Sequence, residues 1–197
     1  MGRASSKTKK KNRALIALVV ILILLLAFFA AYILLDLDEE FKFGYPLEYE
    51  DLIVRYSNEY NLDPYLVAAV IKTESTFKSD AVSSAGAVGL MQIMPETGEW
   101  LAGKFGEAFE TDNLYDPETN IRYGCWYLHF LMERFDGQAD LAIAAYNAGH
   151  NRVEGWLLDE AYSDGTVLTN IPYSETENYV KKVNKAYSKY KEFYEIG

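Results

Sequence analysis

The chain has 197 residues, with 19 Lys and Arg against 29 Asp and Glu and a formal net charge of −10. Arg3, Lys7, Lys9, Lys10, Lys11 and Arg13 are unopposed in the first 13 residues, so everything after them carries −16, which argues against wrapping a polyanion and hence against a nucleic-acid partner. Half the residues are apolar and 15% aromatic, which excludes intrinsic disorder, and a single cysteine, Cys125, excludes an internal disulfide or a Cys-rich zinc site.

Residues 1–13 read as a basic cytoplasmic tail. Residues 14–35, ALIALVVILILLLAFFAAYILL, hold no charge, Gly or Pro. At about 1.5 Å per residue such a run spans a bilayer's hydrocarbon core, so one transmembrane helix is expected there. Asp36, Asp38, Glu39 and Glu40 follow it, and the positive-inside rule keeps the N-terminus cytoplasmic and sends the remainder outside the membrane. The rival is a cleaved signal peptide, with a shorter apolar region and a small-x-small cleavage site. Phe28 and Phe29 fill the −3 positions for cleavage after Ala30 or Ala31, which favours the anchor. A lipoprotein is excluded because no cysteine follows the run before Cys125. Residues 36–45 read as a linker and residues 46–197 as one domain.

That domain reads as a succession of helices. Over residues 46–60, Tyr49, Leu52, Ile53, Tyr56 and Tyr60 share one face. Asp63 and Pro64 mark the next start, with Leu62 and Val67 placed as a hydrophobic staple. Between this helix and the following one, Gly86 and Gly89 are loop signals, and the run from Gly89 through Leu90, Met91, Gln92 and Ile93 to Met94 suggests a short extended piece ending at Pro95. Asp116 and Pro117 open a third helix whose seam is Ile121, Gly124, Leu128, Leu131 and Phe135, before a turn at Asp136 and Gly137. A fourth covers residues 138–147 and closes near Gly149. The last opens with a capping box, Ser174 with Glu177, and turns Val180, Val183, Tyr187 and Tyr190 inward. The fold class is mostly α, with at most a small β element.

One carboxylate sits on the wrong side of its helix. Glu74 follows Val67, Val70 and Ile71 at helical spacing, whereas a solvent-facing glutamate belongs on the side of Ala68 and Lys72. Burial among aliphatic groups raises a carboxyl's pKa and keeps a proton available for general acid catalysis. Periodicity alone leaves two other readings open: a glutamate at a fraying helix end, or one paired with a base.

Other constellations carry less. Cys125 and His129 share a helix face, but a mid-helix thiol lacks the thiolate-stabilising surroundings of a nucleophile, and packing explains it better. His150, after a Gly, reads as a solvated loop residue. No metal or nucleotide motif is present, so no cofactor is expected. The aromatic residues (Tyr 16, Phe 10, Trp 3) suit a sugar-stacking cleft, though as a bare count they describe a core equally well.

Four motifs occur in order: Glu74, Ser75, Thr76 and Phe77; the run Gly89 to Pro95, GLMQIMP; the run Ala145 to Gly149, AYNAG; and Glu175, Thr176, Tyr179 and Val180. Together they resemble the soluble-type lytic transglycosylase domain, related to goose-type lysozyme, over about residues 50–190. The resemblance implies a lysozyme-like, mostly α (α+β) fold with a deep glycan cleft. The implied activity is non-hydrolytic cleavage of the MurNAc–GlcNAc β-1,4 bond of peptidoglycan. It carries the sole catalytic carboxylate onto Glu74 and cleft-lining roles onto Ser83, Gln92, Met94, Tyr146, Asn147 and Glu175, with Tyr146 hydrogen-bonded to Glu74. In the implied mechanism Glu74 protonates the leaving oxygen and then deprotonates the MurNAc 6-hydroxyl, which closes a 1,6-anhydro ring. No second carboxylate is required; Asp80 is the nearest candidate and reads as a loop residue. A lysozyme-like hydrolase and an idle wall-binding scaffold are the alternatives.

Overall fold

The computed structural model describes residue 16, residues 19–32 and residues 44–197. The chain divides into two units, Met1–Gly44 and Tyr45–Gly197. In the first, residues 19–32 are helical with their side chains exposed. The basic tail, the flanks of the expected span over residues 14–35 and residues 36–43 of the expected linker lie outside the described residues. Among the described residues no helix is long and apolar enough to cross a membrane.

The second unit is built from helices α1 (Glu50–Glu59), α2 (Pro64–Glu74), α3 (Pro95–Phe105), a 3₁₀ turn (Thr111–Tyr115), α4 (Pro117–Arg134), α5 (Ala139–Ala148), α6 (His150–Leu157) and α7 (Ser174–Phe193). Helix α2 lies against α7 and α1, while α5 is flanked by α4, α6 and α7. Among the described residues the β content is three isolated antiparallel bridges, Val82 with Val88, Val88 with Ile93 and Ser163 with Leu168.

The sequence logic holds where a cap or a seam is local. Asp63 caps α2 by accepting the Tyr65 N–H at 2.9 Å, and Pro64 fills the first turn. The other Asp63 oxygen accepts the Tyr187 hydroxyl at 2.8 Å, so the same cap ties α2 to α7. Asp116 caps α4 through Thr119, and Ile121, Gly124, Leu128, Leu131 and Phe135 are all buried along its seam. Asp136 and Gly137 both adopt positive φ in the turn that follows.

Five local expectations are corrected. Helix α1 starts at Glu50 instead of near Pro46, because Tyr49 takes a left-handed backbone (φ 56). The capping box does not form: α7 already begins at Ser174, so its hydroxyl is inside the first turn, and Glu177 pairs with Lys181 instead. Ala68 is fully buried rather than on a solvent face, because α2 is surrounded by apolar neighbours on nearly every side, as expected of a central helix. The run from Gly89 to Gln92 is a turn, not an extended piece, with φ of 81° at Gly89 and 49° at Gln92. Helices α3 and α6 lie outside the expected succession, and His150 opens α6 with its ring edge-on to Phe130 instead of standing in a solvated loop.

The chain entry is clasped by the C-terminus. Tyr190 and Tyr194 donate their hydroxyls to the carbonyls of Pro46 and Tyr45 at 2.6 and 2.8 Å, and Tyr65 donates to the carbonyl of Tyr194. Cys125 is fully buried, and burial pushes its thiol far above the usual range; His129 lies beside the Tyr60 ring.

Candidate active site

Glu74 is the last residue of α2, half-buried among the apolar neighbours that flank the helix, and it is not among the residues lining the cavity described below. Its carboxyl is pushed up to about 7, because burial penalises the charged form more than its one hydrogen bond favours it. That bond comes from the hydroxyl of Tyr179 on α7, which donates to Glu74 Oε1 at 2.6 Å. Burial, and then the charge of Glu74, hold the Tyr179 phenol well above its ordinary range, so it stays a donor. Among the alternatives left open by periodicity, a pairing base is thus replaced by a neutral phenol.

Tyr146 does not fill the place assigned to it. Its hydroxyl donates to the Met91 carbonyl at 2.9 Å, which fixes the ring to the 89–92 turn. Burial and the nearby Glu74 charge raise its phenol well above the usual value, which puts the two side chains in one electrostatic neighbourhood. Tyr179 stands in the fourth motif, but its bond to Glu74 is not foreseen there. A signal existed: it is three residues after Thr176 and four before Val183, on the face that α7 buries.

The 89–92 turn is held from three sides. Ser75 donates to the Leu90 carbonyl at 2.8 Å, next to Glu74 in sequence. Fully buried Asn120 accepts the Met91 N–H at 2.7 Å and donates to the carbonyls of Val88 and Leu114 at 2.9 and 2.7 Å. The approach requires glycine on both sides. A Cβ on Gly89 would meet Asn120 Nδ2 at 2.2 Å, and one on Gly124 would meet Met91 Sδ at 2.2 Å. Gln92 is thereby set in its left-handed backbone, its amide donating to the carbonyls of Gly89 and Ala81 at 2.9 and 3.1 Å.

Gln92, Met94, Tyr146 and Asn147 line one cavity of about 220 Å³, together with Thr97 and Tyr127. Asn147 Oδ1 accepts the Thr176 hydroxyl at 2.8 Å, which joins α5 to the start of α7 beside Tyr179. Ser83 and Glu175 are not among the residues lining this cavity. Ser83 accepts the Ala87 N–H at 3.0 Å within its own loop, and Glu175 is exposed in the first turn of α7. Asp80 is exposed in a turn. Among the described residues no cluster of three or more His, Cys, Asp or Glu could hold a metal. The site therefore offers one carboxyl titrating near neutrality, a phenol donor and a cavity with carbonyl, amide and hydroxyl groups.

The family model described as the transglycosylase SLT domain matches residues 51–167. The soluble lytic murein transglycosylase of Salmonella typhimurium is 38% identical over 143 residues, which is 71% of this chain and 22% of that protein. Membrane-bound lytic murein transglycosylase C of Haemophilus influenzae is 32% identical over 168 residues, 73% of this chain and 47% of that protein. The crystal structure of the 70 kDa soluble lytic transglycosylase of Escherichia coli superposes with a TM-score of 0.69 at 36% identity, covering 76% of this chain and 25% of that one. The chain thus spans between a fifth and a half of the curated relatives' length. Helical architecture, identity and family match agree, and the chain belongs to the transglycosylase SLT domain family.

Proposed function

We propose that the Tyr45–Gly197 unit is a peptidoglycan lytic transglycosylase that cuts the MurNAc–GlcNAc β-1,4 bond and leaves a 1,6-anhydro-MurNAc end. The observation that carries this reading is the Glu74 carboxyl, raised to about 7 by burial and held by Tyr179. Near neutrality such a group exists in both protonation states, so one residue serves both halves of the reaction. Protonated, Glu74 gives its proton to the glycosidic oxygen as the bond to MurNAc C1 breaks. Positive charge develops at C1, and the substrate's own N-acetyl group stabilises it. As a carboxylate, stabilised by the Tyr179 hydroxyl, Glu74 takes the proton from the MurNAc 6-hydroxyl, whose oxygen closes on C1. The carboxyl regains its proton and no water is consumed. Most glycosidases need a second carboxylate as base or nucleophile; Asp80 is exposed, and substrate assistance supplies what it does not.

In this reading Gln92, Met94, Tyr146 and Asn147 hold the sugars in the cavity, and Ser83 and Glu175 contact the glycan from outside it. We further infer that residues 14–35 anchor the protein in the membrane with the catalytic unit outside, supported by the uncharged apolar run and the unopposed basic residues ahead of it. A membrane-bound relative, the transglycosylase C of Haemophilus influenzae, is consistent with that placement.

Mass spectrometry of the products from purified peptidoglycan tests the chemistry. The expected ends are one water lighter than hydrolysis products and resist borohydride. Borohydride-reducible ends would move the protein to the lysozyme-like hydrolase, and no cleavage would leave the idle scaffold.

A further inference from the structure

Serine and threonine hydroxyls inside helices commonly fold back on their own backbone, as Thr73 donates to the Ala69 carbonyl at 2.8 Å and Ser188 to the Asn184 carbonyl at 3.0 Å. Thr176, in the first turn of α7, does not. Only 2% exposed, it sends its hydroxyl across to α5, where Asn147 Oδ1 accepts it at 2.8 Å. A β-branched side chain has few rotamers to choose from, so the hydroxyl is aimed as well as bonded. Asn147 needs such a hold. It is the last residue but one of α5, where Gly149 turns the chain out of the helix with a φ of 87°, and it lines the cavity with Gln92 and Tyr146. With its oxygen taken by Thr176, its Nδ2 group is left as a donor. Gln92 in the same cavity has the opposite polarity, since its amide nitrogen is committed to the Gly89 and Ala81 carbonyls and its oxygen is left.

We propose that Thr176 is a positioning residue for the cleavage reaction: it fixes the Asn147 amide with its nitrogen free, so that Asn147 meets the glycan as a hydrogen-bond donor to an acceptor oxygen. The proposal rests on the reading of the cavity as the glycan site and adds a residue that does not itself line it. Without the hydroxyl, the Asn147 amide is free to turn about its last torsion, which is broad and close to two-fold. In the flipped orientation it presents an oxygen to the acceptor on the glycan, and the two oxygens repel. The loss falls on the substrate more than on stability, because Asn147 is half-buried at a cavity and water can replace the partner it loses. Tyr179 lies one helical turn beyond Thr176 and holds Glu74. The same stretch of α7 thus serves two residues of the site, and the two services are separable. Thr176 acts on Asn147, and Tyr179 acts on the acid.

Kinetics of the full chain in detergent on peptidoglycan, with calorimetric binding of the trimer of β-1,4-linked N-acetylglucosamine, test the assignment. Thr176→Val keeps the shape and removes the donor, and kcat/KM should fall about tenfold, the worth of one oriented hydrogen bond. The trimer should bind more weakly by a similar factor. Thr176→Ser, which restores the hydroxyl, should recover most of the loss. In an Asn147→Ala background the valine substitution should cost nothing further, because the residue it positions is gone. The alkaline limb of the rate profile should stay in place, since Tyr179 still holds Glu74. Equal losses with and without the Asn147 side chain overturn the proposal, as does a limb that moves to higher pH. Thermal midpoints close to the parent's guard against misfolding, and Thr176→Ala carries the same comparison if valine disturbs the packing. If the parent cuts peptidoglycan and binds the trimer while Thr176→Val loses nothing, only the Thr176 assignment is wrong. If the parent does neither, the reading of the cavity fails and this inference falls with it.

Discussion

Glu74 binds its proton more tightly folded than unfolded, and that difference has a sign. Its value rises from 4.5 to about 7 on folding, so between those limits the native state holds a proton that the unfolded chain has released. Stability is therefore full below about 4.5 and falls as pH rises towards 7, by up to about 3 kcal/mol at roughly 1.4 kcal/mol per unit. Glu74→Gln has no such term. We expect its thermal midpoint to exceed the parent's by several degrees at pH 8 and to match it near pH 4, at about 2–4 °C per kcal/mol, while cleavage falls by 10²-fold or more, about what acid–base assistance provides. Scanning calorimetry at the two pH values, beside turnover on peptidoglycan, separates the proton-transfer role from a packing role. Tyr179 tunes the same group in the opposite direction, since its hydrogen bond favours the carboxylate. Tyr179→Phe should raise the Glu74 pKa further, move the alkaline limb of the rate profile to higher pH and slow turnover by roughly an order of magnitude. A limb that stays in place, or moves to lower pH, would disconnect the phenol from the acid.

The elements around the site depend on one buried side chain that does not itself line the cavity. Asn120 on α4 satisfies the Met91 N–H and two carbonyls inside the protein. Asn120→Ala takes this partner from the buried Met91 N–H and the Leu114 carbonyl, while the Val88 carbonyl still accepts the Ile93 N–H at 3.0 Å, and we expect a loss of about 3 kcal/mol in denaturant unfolding, given about 1–3 kcal/mol for each orphaned group and incomplete additivity. Turnover should fall as well, because Gln92 and the Met91 carbonyl that holds Tyr146 both belong to the turn Asn120 supports. This dependence explains which parts of the fold could be read in advance. The caps at Asp63 and Asp116 and the α4 seam are local, and the chain spells them. The turn over residues 89–92 was misread because its apolar run looks extended, while the residue that bends it lies about thirty positions away. Helix α3 escaped notice because Gly98 and Gly103 dilute its pattern, and Gly98 is there to admit the Phe109 ring, which a Cβ would meet at 2.7 Å. Glu74 was legible as a carboxylate among aliphatic residues. That Tyr179 and not Tyr146 would bond it was not, since both face inward and only the packing of α5 against α7 decides between them.

At the scale of the whole molecule, the anchor reading predicts that the full chain sediments with membranes and resists extraction by high salt and alkaline carbonate. Protease added from outside should remove the Tyr45–Gly197 unit and spare the basic tail. Recovery of a soluble protein beginning near residue 31 would show a cleaved leader instead. The buried Cys125 gives the same molecule a built-in reporter. Fully enclosed in α4, with a thiol that burial keeps protonated, it is shielded from alkylating reagents in the native state. Its labelling must wait for a large opening of the core, so the modification rate in dilute reagent counts how often the protein opens. Because the chain carries no other thiol, that clock can be read by intact-mass measurement on the unmodified sequence, without engineering a probe.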